Sequence, residues 1–445
     1  MTKSLEIPRK HFIEQLIADH PTIPPEAIVK EDLLRGGVAF SDDALRVAVG
    51  MQPKSYFIFS FDMIPIKEMG QRREDLSAPE EICLTGGPGH FRRTIVSVRI
   101  NPHSPYRVEI DAEGRLVLAI QAGGNGDGTT DPRRDPLCEV QYRPRPSYYD
   151  RTLSSGRPLD EVAPNIEWGY LLYLTVYRKC QYFGFEEECQ FCDINENYRQ
   201  QISAGRPYQI VKTPEEILEA LAIIAETDQE ARAYTVTGGS ITSKLRGQTE
   251  ADFYERYPLA IEKRFPRRWI SKLVVQALPL DDVKRFKDAG VQIYHPNYEI
   301  WDDRLFGIIC AGKNRYVGRE EWHRRIVDAA GVFGPDQVIP NFVAGIEMAK
   351  PYGFHEVEDA IASTAEGLEF FMSQGIKPRF TTWCPEPLSV LGKTNPQGAP
   401  LLYHVRLLET YHRILRKYKL TPPPGYGEPG IGKAVFSVSA FMDCF

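Results

Sequence analysis

Strand-like and helix-like segments alternate six times between residues 170 and 417, and this alternation restricts the fold more than any other feature. Six apolar, β-branched or aromatic runs have the pattern of buried strands, and each is followed by at least one helical pattern. The strand segments are 170–177, 232–240, 270–277, 291–299, 337–347 and 377–383. The helix segments are 213–226, 250–264, 302–310, 319–333, 356–374 and 401–417, with another helix beginning near residue 280. Such alternation predicts a parallel sheet with right-handed crossovers.

Six β/α units are fewer than the eight that close a complete barrel. An open doubly wound sheet and a partial barrel both agree with this count. In either fold the active face forms at the C-terminal ends of the strands and in the loops that follow them. The sequence therefore predicts functional residues at the strand ends of the region 165–390.

Residues 1–150 have a different pattern, which predicts a separate N-terminal α+β region. A helix is expected before the glycine pair at 36–37, and a hairpin is expected over 106–120. The Gly/Asp/Pro-rich segment 123–136 has no periodicity and is predicted to be a loop. Residues 391–445 are expected to form a helix followed by a Pro/Gly-rich tail that caps the barrel.

Composition restricts the function classes. The 445 residues carry a net charge of −6, whereas a nucleic-acid-binding domain is usually basic. No apolar run approaches the roughly 18 residues of a membrane-spanning helix, and the first residues lack the apolar core of a signal peptide. We therefore expect a cytoplasmic protein without a nucleic-acid or membrane partner. In a reducing cytosol, three clustered cysteines among eight favour a metal site or catalysis over disulfides.

The clustered cysteines follow the first strand of the series, at Cys180, Cys189 and Cys192. Three thiolates leave one position of a tetrahedral metal open, and a structural zinc site needs a fourth ligand. None of the nine histidines lies in this loop, and the nearest candidate is His295 on another strand. A [4Fe–4S] cluster bound by three cysteines keeps its fourth iron free for a non-protein ligand. An electron-transfer cluster with a further protein ligand, a zinc-stabilised binding protein and chance clustering remain alternatives.

Four short motifs follow one another at the predicted strand ends. They are Cys189-Gln190-Phe191-Cys192, Gly238-Gly239-Ser240, Asn297-Tyr298-Glu299 and the segment 341–347, which contains Gly345. In this order the motifs resemble those of the radical S-adenosylmethionine (SAM) superfamily. The chain differs from the superfamily in two respects: the cysteine spacing is C-x8-C-x2-C instead of C-x3-C-x2-C, and Ser240 stands where the superfamily has glutamate.

The resemblance implies a partial (β/α)6 TIM-like barrel with an N-terminal α+β extension. It further implies that the three cysteines bind a [4Fe–4S] cluster and that the free iron binds S-adenosyl-L-methionine. An external one-electron reductant of the flavodoxin or ferredoxin type would then drive cleavage of SAM to methionine and a 5′-deoxyadenosyl radical, which takes a hydrogen atom from a small-molecule or peptide substrate. The residues implied in binding SAM are Gly238, Gly239, Ser240, Asn297, Glu299, Gly345 and Phe191.

Other residues near the motifs are candidates for supporting roles. The aromatic residues at 182, 183 and 185 are candidates to cover the cluster, and Arg178 and Lys179 to offset the acidic run 186–188. Cys384 follows the sixth strand, so it is a candidate hydrogen-atom donor, substrate anchor or auxiliary-cluster ligand. Cys310 is predicted to be a core residue. The N-terminal region has no D-x-H-x-x-G pattern, which argues against cobalamin binding.

Overall fold

The computed structural model describes residues 9–69, 77–123, 133–184, 186–205, 208–428 and 432–445. In the N-terminal region the helices are α1 (Arg9–Asp19), α2 (Pro25–Gly36), α3 (Asp42–Val47) and α4 (Leu159–Val162). The strands of this region are β1 (Ala39–Phe40), β2 (Glu81–Gly86), β3 (Phe91–Ser97), β4 (Tyr106–Ile110), β5 (Leu116–Gly123) and β6 (Arg133–Tyr142). They form one sheet in the order β1-β4-β5-β6-β2-β3, in which only β1 and β4 are parallel.

The predicted hairpin is confirmed, because β4 and β5 pair antiparallel across a turn whose Asp111 carboxylate accepts the backbone N–H groups of Glu113 and Arg115. The predicted loop 123–136 is wrong at its C-terminal end, and residues 124–132 lie outside the described residues. Arg133 to Pro136 belong to β6, and Pro136 pairs with Ala119 where the register shifts. A bulge of this kind accepts proline because one ladder hydrogen bond is already missing.

The second half of the chain begins with the short strand β7 (Asn165–Ile166) and continues as the expected strand–helix series. Its strands are β8 (Leu171–Tyr177), β9 (Ala233–Gly238), β10 (Ile270–Val275), β11 (Ile293–Pro296), β12 (Asn341–Ala344) and β13 (Arg379–Thr382). Its helices are α5 (Ile194–Ser203), α6 (Pro214–Thr227), α7 (Glu250–Arg264), α8 (Leu280–Asp288), α9 (Asp303–Ile309), α10 (Ala311–Tyr316), α11 (Arg319–Phe333), α12 (Val357–Met372) and α13 (Leu401–Lys417).

Strands β8 to β13 stand side by side in chain order and run parallel. Strands β8 to β11 form one sheet, with β7 antiparallel at its edge, and β12 pairs with β13. Parallel bridges from Tyr294 to Val338 and from Glu299 to Phe342 carry the order from β11 on to β12. Within the described residues no pairing joins β13 back to β8. The order without reversal makes this a partial (β/α)6 barrel, as the resemblance implies, and not a doubly wound sheet.

Local sequence signals begin the helices where they were expected. Helix α6 starts with a capping box, in which the Thr213 hydroxyl accepts the Glu216 N–H at 3.3 Å and the Glu216 carboxylate accepts the Thr213 N–H at 2.8 Å. Pro214 takes the first helical position, where the missing N–H costs nothing. The expected stop of α2 is also confirmed, since its helix ends at Gly36.

The N-terminal region packs directly on the barrel. Helix α2 lies between β3 and α13, and one continuous set of buried apolar side chains runs through both halves. Segment 56–61 crosses the barrel opening: Arg178, after β8, donates to the carbonyls of Tyr56 and Phe57 at 2.7 and 2.9 Å, and the Phe61 N–H donates to Glu386 at 2.8 Å. The predicted boundaries 1–150, 165–390 and 391–445 stay predictions.

No helix in the described ranges combines the length and the apolar character needed to cross a membrane.

Candidate functional site

A cavity of about 230 Å³ opens at the C-terminal ends of the barrel strands and extends into the barrel. All but one of the predicted site residues line it. They are Cys180, Cys189, Phe191, Cys192, Gly238, Gly239, Ser240, Asn297, Glu299 and Cys384. Phe57, Phe59 and Phe61 of the N-terminal region line the same cavity. The strand ends and the N-terminal region therefore build the site together, and sequence periodicity gave no signal for the second contribution.

The cysteine loop is held in place by hydrogen bonds to three other elements. The Cys180 N–H donates to the Asn195 side chain at 3.1 Å, and that side chain donates back to the Cys180 carbonyl at 3.2 Å. The Gln190 N–H donates to the Ile309 carbonyl at the end of α9, and the Gln190 carbonyl accepts the Leu391 N–H, both at 2.9 Å. These bonds fix Cys180 against α5 and fix the Cys189–Cys192 turn against α9 and the segment after β13.

Gly238 and Gly239 are required by the close approach of the cysteine loop to the end of β9. A Cβ atom on Gly238 would lie 2.4 Å from the Tyr177 carbonyl oxygen. A Cβ atom on Gly239 would lie 1.9 Å from the Lys179 carbonyl oxygen and 2.6 Å from the Cys180 Cα. No side chain other than hydrogen fits at those distances. The glycine pair thus positions the first cysteine in addition to lining the cavity.

The three thiols differ in acidity because their surroundings differ. Burial raises the pKa of Cys180 to about 12 and the pKa of Cys192 well above its ordinary range. The pKa of Cys189 is lowered, first by a hydrogen bond from the Cys310 thiol and then by the charge of Lys313. Cys310 is completely buried, as predicted. Its position beside Cys189 was not predicted, because only the fold brings α9 to the loop.

Asn297 and Glu299 follow β11 and both reach the cavity, but not by the expected strand alternation. The strand ends at Pro296, and Glu299 has a φ of +85°. The Glu299 carboxylate forms a buried ion pair with Lys313 of α10, and Lys313 also donates to the Asn297 carbonyl at 3.3 Å. Within the described part of the chain, the buried Asn297 Oδ1 has no hydrogen-bond donor.

Lys313 is a site residue that the sequence reasoning missed. It lines the cavity between Glu299 and Cys189 and is buried. Burial alone would lower the pKa of Lys313, but the Glu299 carboxylate outweighs it and raises that pKa above its ordinary value. A basic residue one helix beyond the Asn-x-Glu segment was the available signal.

Gly345 is the predicted site residue that the structure does not place at the cavity. It follows β12 with a φ of +105°, and its N–H donates to Glu347 at 3.1 Å. A Cβ atom there would lie 3.2 Å from Ala399 and 3.5 Å from His404 of α13. The positive φ explains why this residue is glycine, since other residues rarely adopt it. The side of Gly345 on which a Cβ atom would stand faces α13 instead of the cavity.

The residues around the acidic run are arranged differently from the prediction. Glu187 pairs with Arg315 at 2.7 Å and accepts a hydrogen bond from Tyr316 at 3.1 Å. Arg178, which was expected to offset this charge, is bound to segment 56–61, and Lys179 lies 4.0 Å from the ring centre of Tyr198. Tyr182 lines the cavity, whereas residue 185 lies outside the described residues.

Cys384 follows β13 and is buried on the cavity wall. Its sulfur lies 3.3 Å from the Phe61 carbonyl oxygen and 3.5 Å from the Met63 sulfur. Burial raises the pKa of the Cys384 thiol far above its ordinary value. The thiol is therefore protonated at neutral pH.

Among the residues described, no three His, Cys, Asp or Glu side chains converge closely enough to hold one metal ion. A single tetrahedral zinc draws all of its ligands to within about 2.0–2.3 Å of one point. The cysteine loop presents its three thiols around the cavity wall instead.

Comparison with known proteins gives structural matches only. No protein-family model and no curated protein matches the chain. It is similar to HydG, a maturase of the [FeFe]-hydrogenase (TM-score 0.40, 14% identity, covering 58% of this chain and 52% of that one). It is also similar to methylornithine synthase PylB (0.40, 12%, 57% and 65%) and to coproporphyrinogen III oxidase HemN from Escherichia coli (0.35, 12%, 56% and 52%).

HemN is described as a radical SAM enzyme, the superfamily that the sequence resembles. The chain spans between about half and two thirds of the length of these three structures. At identities of 12–14% the likeness concerns the fold alone.

Proposed function

We propose that the protein is a radical SAM enzyme, which cleaves S-adenosyl-L-methionine reductively at a [4Fe–4S] cluster and abstracts a hydrogen atom from a substrate. One observation carries the proposal. The three cysteines, the Gly238-Gly239 turn and the Asn297–Glu299 segment come from three different strand ends and line one cavity at the active face of a (β/α)6 barrel.

The donor set of the loop suits an iron–sulfur cluster. Three thiolates are soft ligands, which favour iron–sulfur clusters and zinc over hard cations. Each cysteine of a cluster binds a different iron, so the thiols need not converge on one point as they do around zinc. Cys189 loses its proton most easily, because the Cys310 hydrogen bond and the Lys313 charge favour its thiolate. Cys180 and Cys192 require the metal itself to displace their protons.

Side chains near the cysteine loop supply groups that suit the polar end of SAM. The unsatisfied Asn297 Oδ1 can accept a hydrogen bond from a ligand amine or hydroxyl. The Lys313 ammonium lines the cavity and uses two of its three donors on Glu299 and Asn297, so its third donor can bind a ligand carboxylate. Cys180, Cys189 and Cys192 would hold the cluster, which would supply the electron for reductive cleavage of SAM. The protein's own contribution is to position these groups and to exclude water, which the aromatic segment 57–61 does from the side of the opening.

The proposal includes three further expectations: an external one-electron reductant of the flavodoxin or ferredoxin type, a cytoplasmic location, and a role for Cys384 at the substrate. Because its thiol is protonated and lines the cavity, Cys384 can donate a hydrogen atom. Its contacts with Phe61 and Met63 also connect it to the N-terminal region.

The decisive experiment is anaerobic reconstitution with iron and sulfide, followed by reduction with dithionite and measurement of 5′-deoxyadenosine formed from SAM. We expect about four irons per chain and steady formation of 5′-deoxyadenosine. Cys192→Ala should lose both the iron and the product. Cys138→Ala, which changes a buried cysteine of the N-terminal sheet, should keep both.

A cluster-loaded, reduced sample that forms no 5′-deoxyadenosine would refute the proposal. That result, together with loss of the cluster in Cys310→Ala, would instead identify Cys310 as the fourth ligand of an electron-transfer cluster. Zinc without acid-labile sulfide would identify the zinc-stabilised alternative.

A further inference from the structure

The deep end of the cavity holds charged side chains that the proposed SAM chemistry does not use. Lys272 comes from β10, Arg379 from β13, and Glu167 from the turn between β7 and β8, and all three line the cavity. Glu167 and Lys272 are 3% and 2% exposed. Charged groups are rarely buried to this extent unless they are paired or bind a ligand.

Tyr426 of the tail contacts both cations, and strand register shows how deep Lys272 lies in the barrel. Lys272 pairs with Thr235 of β9, which in turn pairs with Tyr173 of β8, and Arg379 pairs with Asn341 of β12. Side chains of register partners point to the same side of a sheet, and all five line the cavity. Lys272 lies four residues before Gln276 at the strand end, which is roughly 13 Å along the strand at about 3.3 Å per residue.

Glu167 acts on both cations through its charge, but neither of them forms a close ion pair with a carboxylate of the described residues. In the described portion of the chain, no Asp or Glu oxygen lies within 4 Å of the Lys272 amine or the Arg379 guanidinium, and Arg379 Nε has no hydrogen-bond acceptor. Lys272 donates one hydrogen bond, to the Gly425 carbonyl, and Arg379 donates one, to the Tyr426 hydroxyl at 3.3 Å. An ammonium carries three donors and a guanidinium five, so most of their donors have no acceptor among the described residues.

The Pro/Gly-rich tail fixes both cations at the bottom of the barrel. The ring of Tyr426 lies 4.6 Å from the Lys272 amine, and its hydroxyl is the group that meets Arg379. A Cβ atom on Gly425, whose φ is +87°, would lie 2.8 Å from the Lys272 Cε. The tail thus positions both side chains with a carbonyl, a hydroxyl and a ring, and among the described residues it brings no carboxylate into contact with either.

The electrostatics of this end show an excess of positive charge. Burial lowers the pKa of Lys272 to about 8 and raises the pKa of Glu167 to about 7. The nearby His295 is kept neutral, because burial and then the charges of Arg379 and Lys272 hold its pKa well below the ordinary range. With Glu167 ionised, the charged side chains that line this end of the cavity are two cations and one carboxylate, an excess of one positive charge at the cavity surface.

We propose that Lys272 and Arg379 bind the carboxylate of a small-molecule substrate at the deep end of the barrel. The substrate role rests on the proposed function, whereas carboxylate binding does not. One unbalanced positive charge suits a monoanion, so a carboxylate is favoured over a phosphate dianion. The planar guanidinium can hold both oxygens of a carboxylate with parallel hydrogen bonds. The aromatic and apolar wall above, formed by Tyr173, Val274 and Phe436, suits an apolar body on the same molecule.

The test uses the full chain and four probes. Benzoate, benzamide and phenylphosphonate share one ring and carry one, zero and up to two negative charges, and acetate removes any dependence on shape. Binding is measured by isothermal titration calorimetry and by saturation-transfer NMR. We expect benzoate to bind, with benzamide and phenylphosphonate at least tenfold weaker. Arg379→Gln and Lys272→Gln should each weaken benzoate at least tenfold and leave benzamide unchanged.

Lys377→Gln is the matched control. This lysine is also buried and lies two residues before β13, but it pairs with Asp336 at 2.6 Å outside the cavity. Its removal should leave benzoate binding unchanged in the folded protein. Two variants at the site keep the test valid if one of them fails to fold.

Equal affinity for benzoate and benzamide, tighter binding of phenylphosphonate, unchanged benzoate binding in both site variants, or failure of both acetate and benzoate to bind would each overturn the proposal. Formation of 5′-deoxyadenosine is measured separately. Carboxylate binding without that product would leave this site standing and refute only the proposed function. The product without carboxylate binding would have the reverse meaning.

Discussion

Replacement of Gly239 by alanine tests whether the glycine pair positions the cysteine loop. The new Cβ atom would lie 1.9 Å from the Lys179 carbonyl oxygen, whereas carbon and carbonyl oxygen normally meet at about 3.3 Å. The loop would therefore have to move by roughly 1.4 Å, the difference between these two distances. Both nearest groups belong to the backbone of residues 179 and 180, so no side-chain rotation can relieve the contact.

We expect Gly239→Ala to lower the free energy of unfolding by about 1–3 kcal/mol, which is typical of overpacking. Metal sites tolerate ligand displacements of only about 0.2 Å, so a shift of Cys180 should also reduce the iron bound after reconstitution. Urea unfolding and iron and sulfide analysis measure the two effects.

Gly331→Ala is the matched control for this substitution. Gly331 lies on the exposed side of α11, and nothing stands within 4 Å of its added Cβ. Alanine there should stabilise the protein by about 1 kcal/mol, because glycine is a poor helix former. If Gly239→Ala unfolds at the same urea concentration as the wild type and binds the same iron, the loop does not depend on this contact and the reasoning is wrong.

Three further substitutions test separate parts of the site. Cys310→Ala should keep its iron and sulfide, because Cys310 only donates a hydrogen bond to Cys189. The reduction potential of the cluster should fall when that hydrogen bond is removed. Loss of the cluster would contradict this role. Glu299→Gln should lower the free energy of unfolding by about 3–5 kcal/mol, because it leaves the Lys313 ammonium buried without its carboxylate. Adding Lys313→Met should restore most of that stability. Wild-type stability of the single variant would show that Lys313 is not a buried charge that depends on Glu299. Burial raises the pKa of Glu250 from 4.5 to about 7. Between these two values the native state therefore binds more protons than the unfolded chain. The free energy of unfolding should accordingly fall by up to about 3 kcal/mol as the pH rises from 4.5 to 7. Glu250→Gln should remove that part of the pH dependence, and unchanged pH dependence in urea unfolding would show that the carboxyl ionises normally.

The strands and the order of the motifs were predictable because both depend on local sequence. An apolar, β-branched or aromatic run identifies each buried strand, and a parallel series in chain order brings every strand end to one face. Cys180, Gly238 and Asn297 were therefore expected together, although they are far apart in sequence. All three line one cavity in the structure.

The contributions that were missed depend on tertiary contacts. Lys313 lies on α10 and Cys310 lies between α9 and α10, and only the turn of the chain after Glu299 brings them to Cys189. Gly345 is the opposite case, since it follows a strand end but its left-handed backbone faces α13; its role in binding SAM stays a prediction. A strand-end position predicts proximity to the site, but it does not predict which way the residue faces.

The long gap between Cys180 and Cys189 is the part of the chain that differs most from the superfamily pattern, and its contacts explain how it is accommodated. Gln181 accepts the Thr242 N–H at 2.8 Å after β9, and Tyr182 donates to Gln276 at 2.8 Å after β10. These two hydrogen bonds hold the additional residues against the C-terminal ends of β9 and β10.

The far end of the gap reaches the helices that follow β11. Glu187 binds Arg315 of α10, and its carbonyl accepts the Gly312 N–H at 3.0 Å, where a Cβ atom would lie only 2.4 Å from the same oxygen. Because α10 also carries Lys313, these contacts link the cysteine loop to that basic residue of the cavity wall. A three-residue gap would be too short to make these contacts, so the added length fixes the cysteine loop to the group that we propose binds the carboxylate of SAM.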